Sequence, residues 1–379
     1  MESMILSALS SLVMGLSALT IEGVVMMAVG CMLLWLGIQK GYEPLLLLPI
    51  GFGAVMVNIP MSGVMEEHGL LRFFYDFGVI TEVFPCLIFI GIGAMTDFTP
   101  LLENPKILLL GAAGQFGIFI TLLVALGLGF NLLDAATIGI IGACDGPTSI
   151  YVASKYAPHL LGAVSVAAYS YMSLVPLLQP PIMKLLTTEK ERKIRMPYPK
   201  KSVSKSLKIL FPIGVTILTC LIAPMGTPLM GMLMLGNLMK ESGVVSRLTG
   251  AAENEIPNIV TLLLGLSIGA TMEGAAFLKA QTLIILALGL GAICLDTVTG
   301  VLFGKIMCVL SGGKINPLLG AAGISAYPMA ARVVMTEGRR YDRNNWLLMH
   351  AMGANTGGQI GSIMAAAIML SVLKGMGLG

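Results

Sequence analysis

The chain has 379 residues, of which 56% are hydrophobic and only 11% charged, with a formal net charge of +3. Soluble domains carry about 25% charged residues, so this composition excludes a water-soluble globular protein, a nucleic-acid binder and a disordered tail. It fits an all-α polytopic membrane protein, where abundant glycine (46 residues) lets helices approach closely.

In chain order, Met1–Thr20 lacks the basic n-region of a signal peptide and reads as a short retained helix. Apolar spans follow at Ile21–Ile38, Pro44–Asn58, Val83–Met95 and Ile107–Phe130. Asn131–Ala157 is apolar too, but dense in Gly and Ala, with Gly142-Ala-Cys-Asp-Gly-Pro-Thr148 at its centre. We read it as a broken helix or re-entrant hairpin, since irregular backbone survives at membrane depth only where protein or a water-filled cavity covers it. Leu160–Met183 is the next span. Lys184–Lys208 then carries nine basic residues against Glu189 and Glu191, the mark of a cytoplasmic loop. Pro224 and Pro228 split Ile209–Met239 into two spans. Ile259–Met272 and Thr282–Gly304 follow, then a second irregular segment, Asn316–Thr336, and a last span within Trp346–Leu373.

Threading outward from the basic loop puts 19 of the 23 Lys and Arg on the cytoplasmic side; Arg72, Lys155, Lys279 and Lys374 are left outside, with Gly379. The halves also resemble each other. Ile92-Gly-Ala-Met-Thr-Asp97 aligns with Ile268-Gly-Ala-Thr-Met-Glu273, and Pro44-Leu-Leu with Pro228-Leu-Met. Five spans and one hairpin per half make the repeats inverted, an organisation common in secondary transporters of the elevator type, whose broken segments mark the binding site. The expected divisions are an N-terminal helix over 1–20, a first repeat over 21–183, a basic linker over 184–208 and a second, inverted repeat over 209–379.

Asp145 is the leading site residue. A carboxylate at the bilayer centre costs about 2.5–3.5 kcal/mol unless paired, solvated or bound to a cation. With hydroxyls and carbonyls freed by Gly146-Pro147, it suits Na⁺. Asn316, Ser325 and Arg332 stand out in the second broken segment. Tyr169, Tyr171 and Gln179, then Asn355, Thr356, Gln359 and Ser362, are the polar residues of the last spans of the halves. Asp296 is a further mid-span acid. The six cysteines have no metal-binding spacing, and neither a P-loop nor HExxH occurs. ATP-driven pumping and redox chemistry by this chain are therefore not expected.

Gly142–Thr148, Tyr169-Ser-Tyr-Met-Ser-Leu-Val-Pro176 with Gln179-Pro-Pro-Ile-Met183, Ile315-Asn-Pro-Leu-Leu-Gly320 with Pro328-Met-Ala-Ala-Arg332, and Met349-His-Ala-Met-Gly353 with Asn355 resemble the β subunit of the sodium-ion-translocating biotin-dependent decarboxylases. The resemblance covers nearly the whole chain. It implies a bacterial inner-membrane subunit that decarboxylates carboxybiotin, consumes a proton and exports Na⁺. It carries the family's Na⁺-site aspartate onto Asp145 and further functional residues onto Tyr171, Asn316, Gly320, Ser325, Arg332 and Asn355. We read Asp145, Asn316, Gly320, Ser325 and Asn355 as the Na⁺ site, and Asp145, Tyr171 and Arg332 as catalytic, with Tyr171 a proton relay and Arg332 the group that receives carboxybiotin. The implied partners are a biotin-carrier subunit, a carboxyltransferase α subunit, a small membrane γ or δ subunit and two further β copies in a homotrimer. The sequence holds no biotin-acceptor Ala-Met-Lys-Met, so the biotin must arrive on a partner. One departure is Cys144, where the family pattern implies a smaller residue. The competing expectation is a free-standing Na⁺-coupled elevator-type transporter of an organic anion.

Overall fold

The computed structural model describes residues 15–41, 44–197 and 203–378, so the expected N-terminal helix lies largely outside the described residues, as does the centre of the basic linker. The described residues form helices and no strand. The longer helices are α1 (Ile21–Lys40), α2 (Pro44–Val57), α3 (Val83–Met95), α4 (Leu108–Ala113), α5 (Phe116–Gly127), α6 (Leu132–Gly139), α7 (Gly146–Tyr156), α8 (Leu161–Leu186), α9 (Lys205–Ile222), α10 (Thr227–Ser242), α11 (Glu255–Ala270), α12 (Ala280–Leu310), α13 (Met329–Tyr341) and α14 (Leu348–Gly375). Five helical stretches among the described residues are long and apolar enough to cross a bilayer, or up to seven if each bent pair is one span.

Helix starts follow capping chemistry. Thr20 caps α1 by accepting from Gly23 N at 3.1 Å, and Ser204 caps α9 by accepting from Leu207 N. The expected break at Pro224–Pro228 is a single 3₁₀ turn, Pro224–Gly226, between α9 and α10. α9 turns Leu210, Ile217, Leu218 and Leu221 outward, each more than half exposed. An apolar surface of that kind needs lipid or protein against it.

Two groups of helices result. In the first, α2 packs on α11 and α3 on α10, with α1 against α2. Small residues set the distances. A Cβ on Gly269 would lie 2.2 Å from Ile50 O, and one on Gly93 would lie 1.9 Å from Leu233 O. The two pairs end alike. Asn58 Nδ2 donates to Met272 O at 2.8 Å, and Asn237 Nδ2 donates to Thr96 O at 3.1 Å. Pro49 and Pro228 stand the same number of residues before these two asparagines. The second group gathers the irregular segments: α12 packs on the residues 317–323 turn, on α8 and on α5, while α14 packs on α4 and the same turn.

Both segments read as irregular are broken. Between α6 and α7 the chain makes a 3₁₀ turn, Ile140–Ala143, then passes Cys144 in the left-handed region (φ 52°) and the extended Asp145. The second segment is a 3₁₀ turn, Pro317–Gly323, followed by non-helical backbone up to α13. A third break was not expected: the span Pro105–Gly127 is interrupted at Gly114–Gln115. The edges of the basic linker are helical, since α8 runs to Leu186 and α9 begins at Lys205. Arg195 fastens the linker to the end of α13 through Asp342, and this hydrogen-bonded guanidinium holds the Asp342 carboxyl below its ordinary range.

Candidate functional site

The unwound tips of the two broken segments meet. Ser325 N donates to Ala143 O at 3.0 Å, a backbone bond between segments far apart in sequence. Each freed carbonyl needs a donor at this depth, and α14 supplies most of them. Asn355 Nδ2 donates to Ala322 O and to Ile324 O at 2.6 Å. Gln359 Nε2 donates to Ser325 O at 2.7 Å. Ser325 Oγ returns a bond to Gly358 O at 2.8 Å. Gln115, at the unexpected third break, donates through Nε2 to Gly323 O at 3.0 Å. These bonds take up the carbonyls of the second broken segment, and Ala143 O of the first. The amide oxygens of the same side chains, Asn355 Oδ1, Gln359 Oε1 and Gln115 Oε1, are buried without a hydrogen-bond partner among the described residues.

Asp145 is 4% exposed. Its carboxylate accepts from Thr148 Oγ1 at 2.7 Å, from Ser362 Oγ at 2.9 Å and from Thr148 N at 3.3 Å. It caps α7, whose N-terminal dipole favours negative charge. No Lys, Arg or His pairs with it among the described residues. The salt-bridge explanation of a buried acid therefore fails here, and three neutral donors remain. Carboxylate, hydroxyl and amide oxygens form a hard-oxygen donor set, which suits Na⁺ and not a soft metal.

A cavity of about 700 Å³ runs along the seam between the two helix groups. Its polar lining includes Asp145, Tyr169, Ser325, Gln359, Asp97, Tyr327 and Arg332, and its walls are largely Leu, Ile and Met from α2, α3, α8 and α14. Arg332 is exposed and in no ion pair among the described residues.

The structure separates the expected residues into two sets. Asp145, Ser325 and Arg332 line the cavity, and Asn355 lies directly behind Ser325. Asn316 does not reach it. Its Oδ1 accepts from Leu318 N, and its Nδ2 donates to Arg192 O and Ile194 O, tying the linker to the second broken segment. Gly320 serves close packing, since a Cβ there would sit 1.9 Å from Gly300 O. Tyr171 points at α12, where its hydroxyl donates to Leu286 O at 2.8 Å. Tyr169 instead covers the Asp145 turn: a Cβ on Gly146 would be 2.3 Å from its ring, and its buried hydroxyl has no partner.

Asp97, Tyr327 and Gln115 were not anticipated as site residues. Spacing could have joined Asn355, Gln359 and Ser362, which share one helix face at i, i+4 and i+7. No spacing signals Asp97 or Gln115, which arrive from other helices. Asp296, the other mid-span acid, caps α5 from across the bundle by accepting from Gly117 N.

The family model described as Na⁺-transporting oxaloacetate decarboxylase beta subunit matches residues 22–373. The chain is 54% identical to the glutaconyl-CoA decarboxylase subunit beta of Acidaminococcus fermentans, over 95% of this chain and 96% of that relative. It is 51% identical to the methylmalonyl-CoA decarboxylase subunit beta of Propionigenium modestum, over 94% and 96%. It is 47% identical to the oxaloacetate decarboxylase beta chain of Klebsiella pneumoniae, over 98% and 100%.

Proposed function

The chain belongs to the family of β subunits of the Na⁺-transporting decarboxylases, and we propose that it decarboxylates carboxybiotin brought by a partner and couples this to Na⁺ export across a bacterial inner membrane. The observation that carries this reading is that one cavity is lined by both Asp145 and Arg332. Asp145 is a buried carboxyl group with only neutral donors, and Arg332 is in no ion pair among the described residues.

Arg332 receives the carboxylate, because a guanidinium can hold it through two parallel hydrogen bonds. In the reaction the N–CO₂⁻ bond breaks, its electron pair stays on the ureido nitrogen, CO₂ leaves and that nitrogen takes a proton. The apolar walls keep water from competing. Na⁺ is cargo. Asp145 and the orphaned oxygens of Asn355 and Gln359 are the residues that would hold it, with Ser362 and Thr148 fixing the carboxylate. Desolvation disfavours the bare anion, so the site takes up Na⁺ or a proton in turn. Tyr171 keeps its expected place as a proton relay on this reading, and Tyr169, beside Asp145, joins it as a second candidate. Asn316 and Gly320 act by holding the second broken segment in place.

The overall design is two inverted repeats working as an elevator-type carrier. The reciprocal packing of α2 on α11 and α3 on α10, closed by Asn58 and Asn237, supports it. The complex would include a biotin carrier, a carboxyltransferase α subunit, a small γ or δ subunit and three β copies. Measuring decarboxylation of carboxybiotin by the membrane subunit tests the reading. Turnover should require Na⁺; equal rates with and without it would overturn the coupling, and no decarboxylation under either condition would favour the free-standing transporter.

A further inference from the structure

Asp97 is the one acid besides Asp145 in the cavity lining. It lies just past the end of α3, on a mount with little freedom. Asn237 Nδ2 and Lys240 Nζ both donate to Thr96 O, and Lys240 also donates to Met95 O. Tyr327, from the second broken segment, lines the same cavity as Asp97. Asp97 Oδ1 accepts from Thr99 N at 2.9 Å, a local side-chain turn just before the short helix Thr99–Glu103. Its Oδ2 makes no hydrogen bond or ion pair among the described residues. That turn alone does not require an acid, since Asn and Ser make it too.

We propose that Asp97 is a substrate-positioning residue whose free carboxylate oxygen accepts the remaining ureido N–H of carboxybiotin. The inference rests on the carboxybiotin reading above. The ureido ring has two nitrogens: one carries the carboxylate, and the other keeps a hydrogen that needs an acceptor once the ring is seated against the apolar walls. Arg332 and Asp97 then address opposite halves of the same ring. The Leu, Ile and Met walls accommodate the apolar sulfur ring fused to it. A ring held at both ends presents its carboxylated nitrogen in one orientation, and a carboxylate is the stronger acceptor for the anchoring N–H.

The experiment uses the assembled complex in membranes, with carboxybiotin as substrate and two inhibitors: biotin, and biotin methylated on the ureido nitrogen that is not carboxylated. In the wild type, methylation should weaken inhibition about 10-fold or more, the worth of a hydrogen bond to a charged group. Asp97→Ser keeps the local turn but shortens the reach. It should raise the KM for carboxybiotin about 10-fold, leave half-saturating Na⁺ within about twofold, and inhibit equally with both compounds. Asp97→Asn should fall between. A wild type indifferent to methylation overturns the role without any variant, and so does an unchanged KM in Asp97→Ser. If the wild type shows no Na⁺-dependent use of carboxybiotin, the reading of the whole site fails and this role with it.

Discussion

At the scale of single residues, Asp145 and Arg332 bear different loads, and substitutions should separate them. Asp145→Asn keeps the shape and removes the charge, and hydrogen bonds to a charged group are worth about 1.5–3 kcal/mol each. It should abolish Na⁺-dependent decarboxylation, while Asp145→Glu retains part of it. In the wild type, raising pH should lower the half-saturating Na⁺ concentration, because fewer protons then compete for the carboxylate. A normal Na⁺ pumping rate in Asp145→Asn would sink both the site and the exchange. Arg332→Lys replaces the planar fork by a point charge. It should depress turnover of carboxybiotin at least tenfold and leave Na⁺ affinity near normal; the reverse pattern would make Arg332 structural. Asp145 was legible because a charge stands in an apolar, Gly-Pro-broken run. Its donors were only partly legible. Ser362 lies far along the chain, and Tyr169 rather than Tyr171 covers the turn because residues two apart on a helix face different ways. Cys144, where a smaller residue was expected, sits buried at φ 52°. A residue with a Cβ pays about 1–2 kcal/mol in that region, a cost that glycine avoids and alanine does not.

At the scale of elements, the two broken segments were visible as dense Gly, Ala and Pro around polar centres, but their mutual contact was not. The Ser325 to Ala143 bond and the stitching by Asn355, Gln359 and Gln115 depend on which helices lie together, and spacing along one helix is silent on that. The break at Gly114–Gln115 was missed for a related reason. Its flanks are uniformly apolar, and the Gln side chain that makes the break tolerable spends its hydrogen bonds on distant segments. The Ile-Gly-Ala match was legible, and its meaning lies in packing. Gly93 and Gly269 let the paired helices touch backbone to backbone. Gly93→Val puts carbon where Leu233 O already lies, and overpacking of this kind costs about 1–3 kcal/mol or more. It should lower the thermal unfolding midpoint and the yield of folded subunit. Gly231→Ala, with open space around the new methyl, should leave both unchanged. Equal behaviour of the two variants would show that the α3–α10 approach is not tight in the membrane.

At the scale of the whole molecule, the charges sort by side. The ion pairs Lys184–Glu337, Arg340–Glu337, Arg195–Asp342, Lys305–Glu191, Lys193–Glu189 and Lys208–Glu241 all join residues on the face of the basic linker. Arg72–Asp76, Lys155–Glu82 and His159–Asp134 all involve the other face. No ion pair among the described residues crosses between these sets, as a bilayer between them requires. On the proposed topology the Lys and Arg bias puts the linker face in the cytoplasm. Arg332, Asp97 and Lys240 would then belong to the cytoplasmic half, where a soluble carrier would deliver its load, and the corner at Glu273–Gly274, bound by Asn58 Oδ1, to the outside. In a variant freed of its six native cysteines, a single cysteine at Lys190 should react with a membrane-impermeant thiol reagent only in inside-out vesicles. One at Lys279 should react only in intact cells. If both react from the same side, the second half does not invert the first. The matching of Pro49 with Pro228 and of Asn58 with Asn237 would then reflect a parallel duplication, and two broken segments entering from the same face could not gate opposite openings of one site.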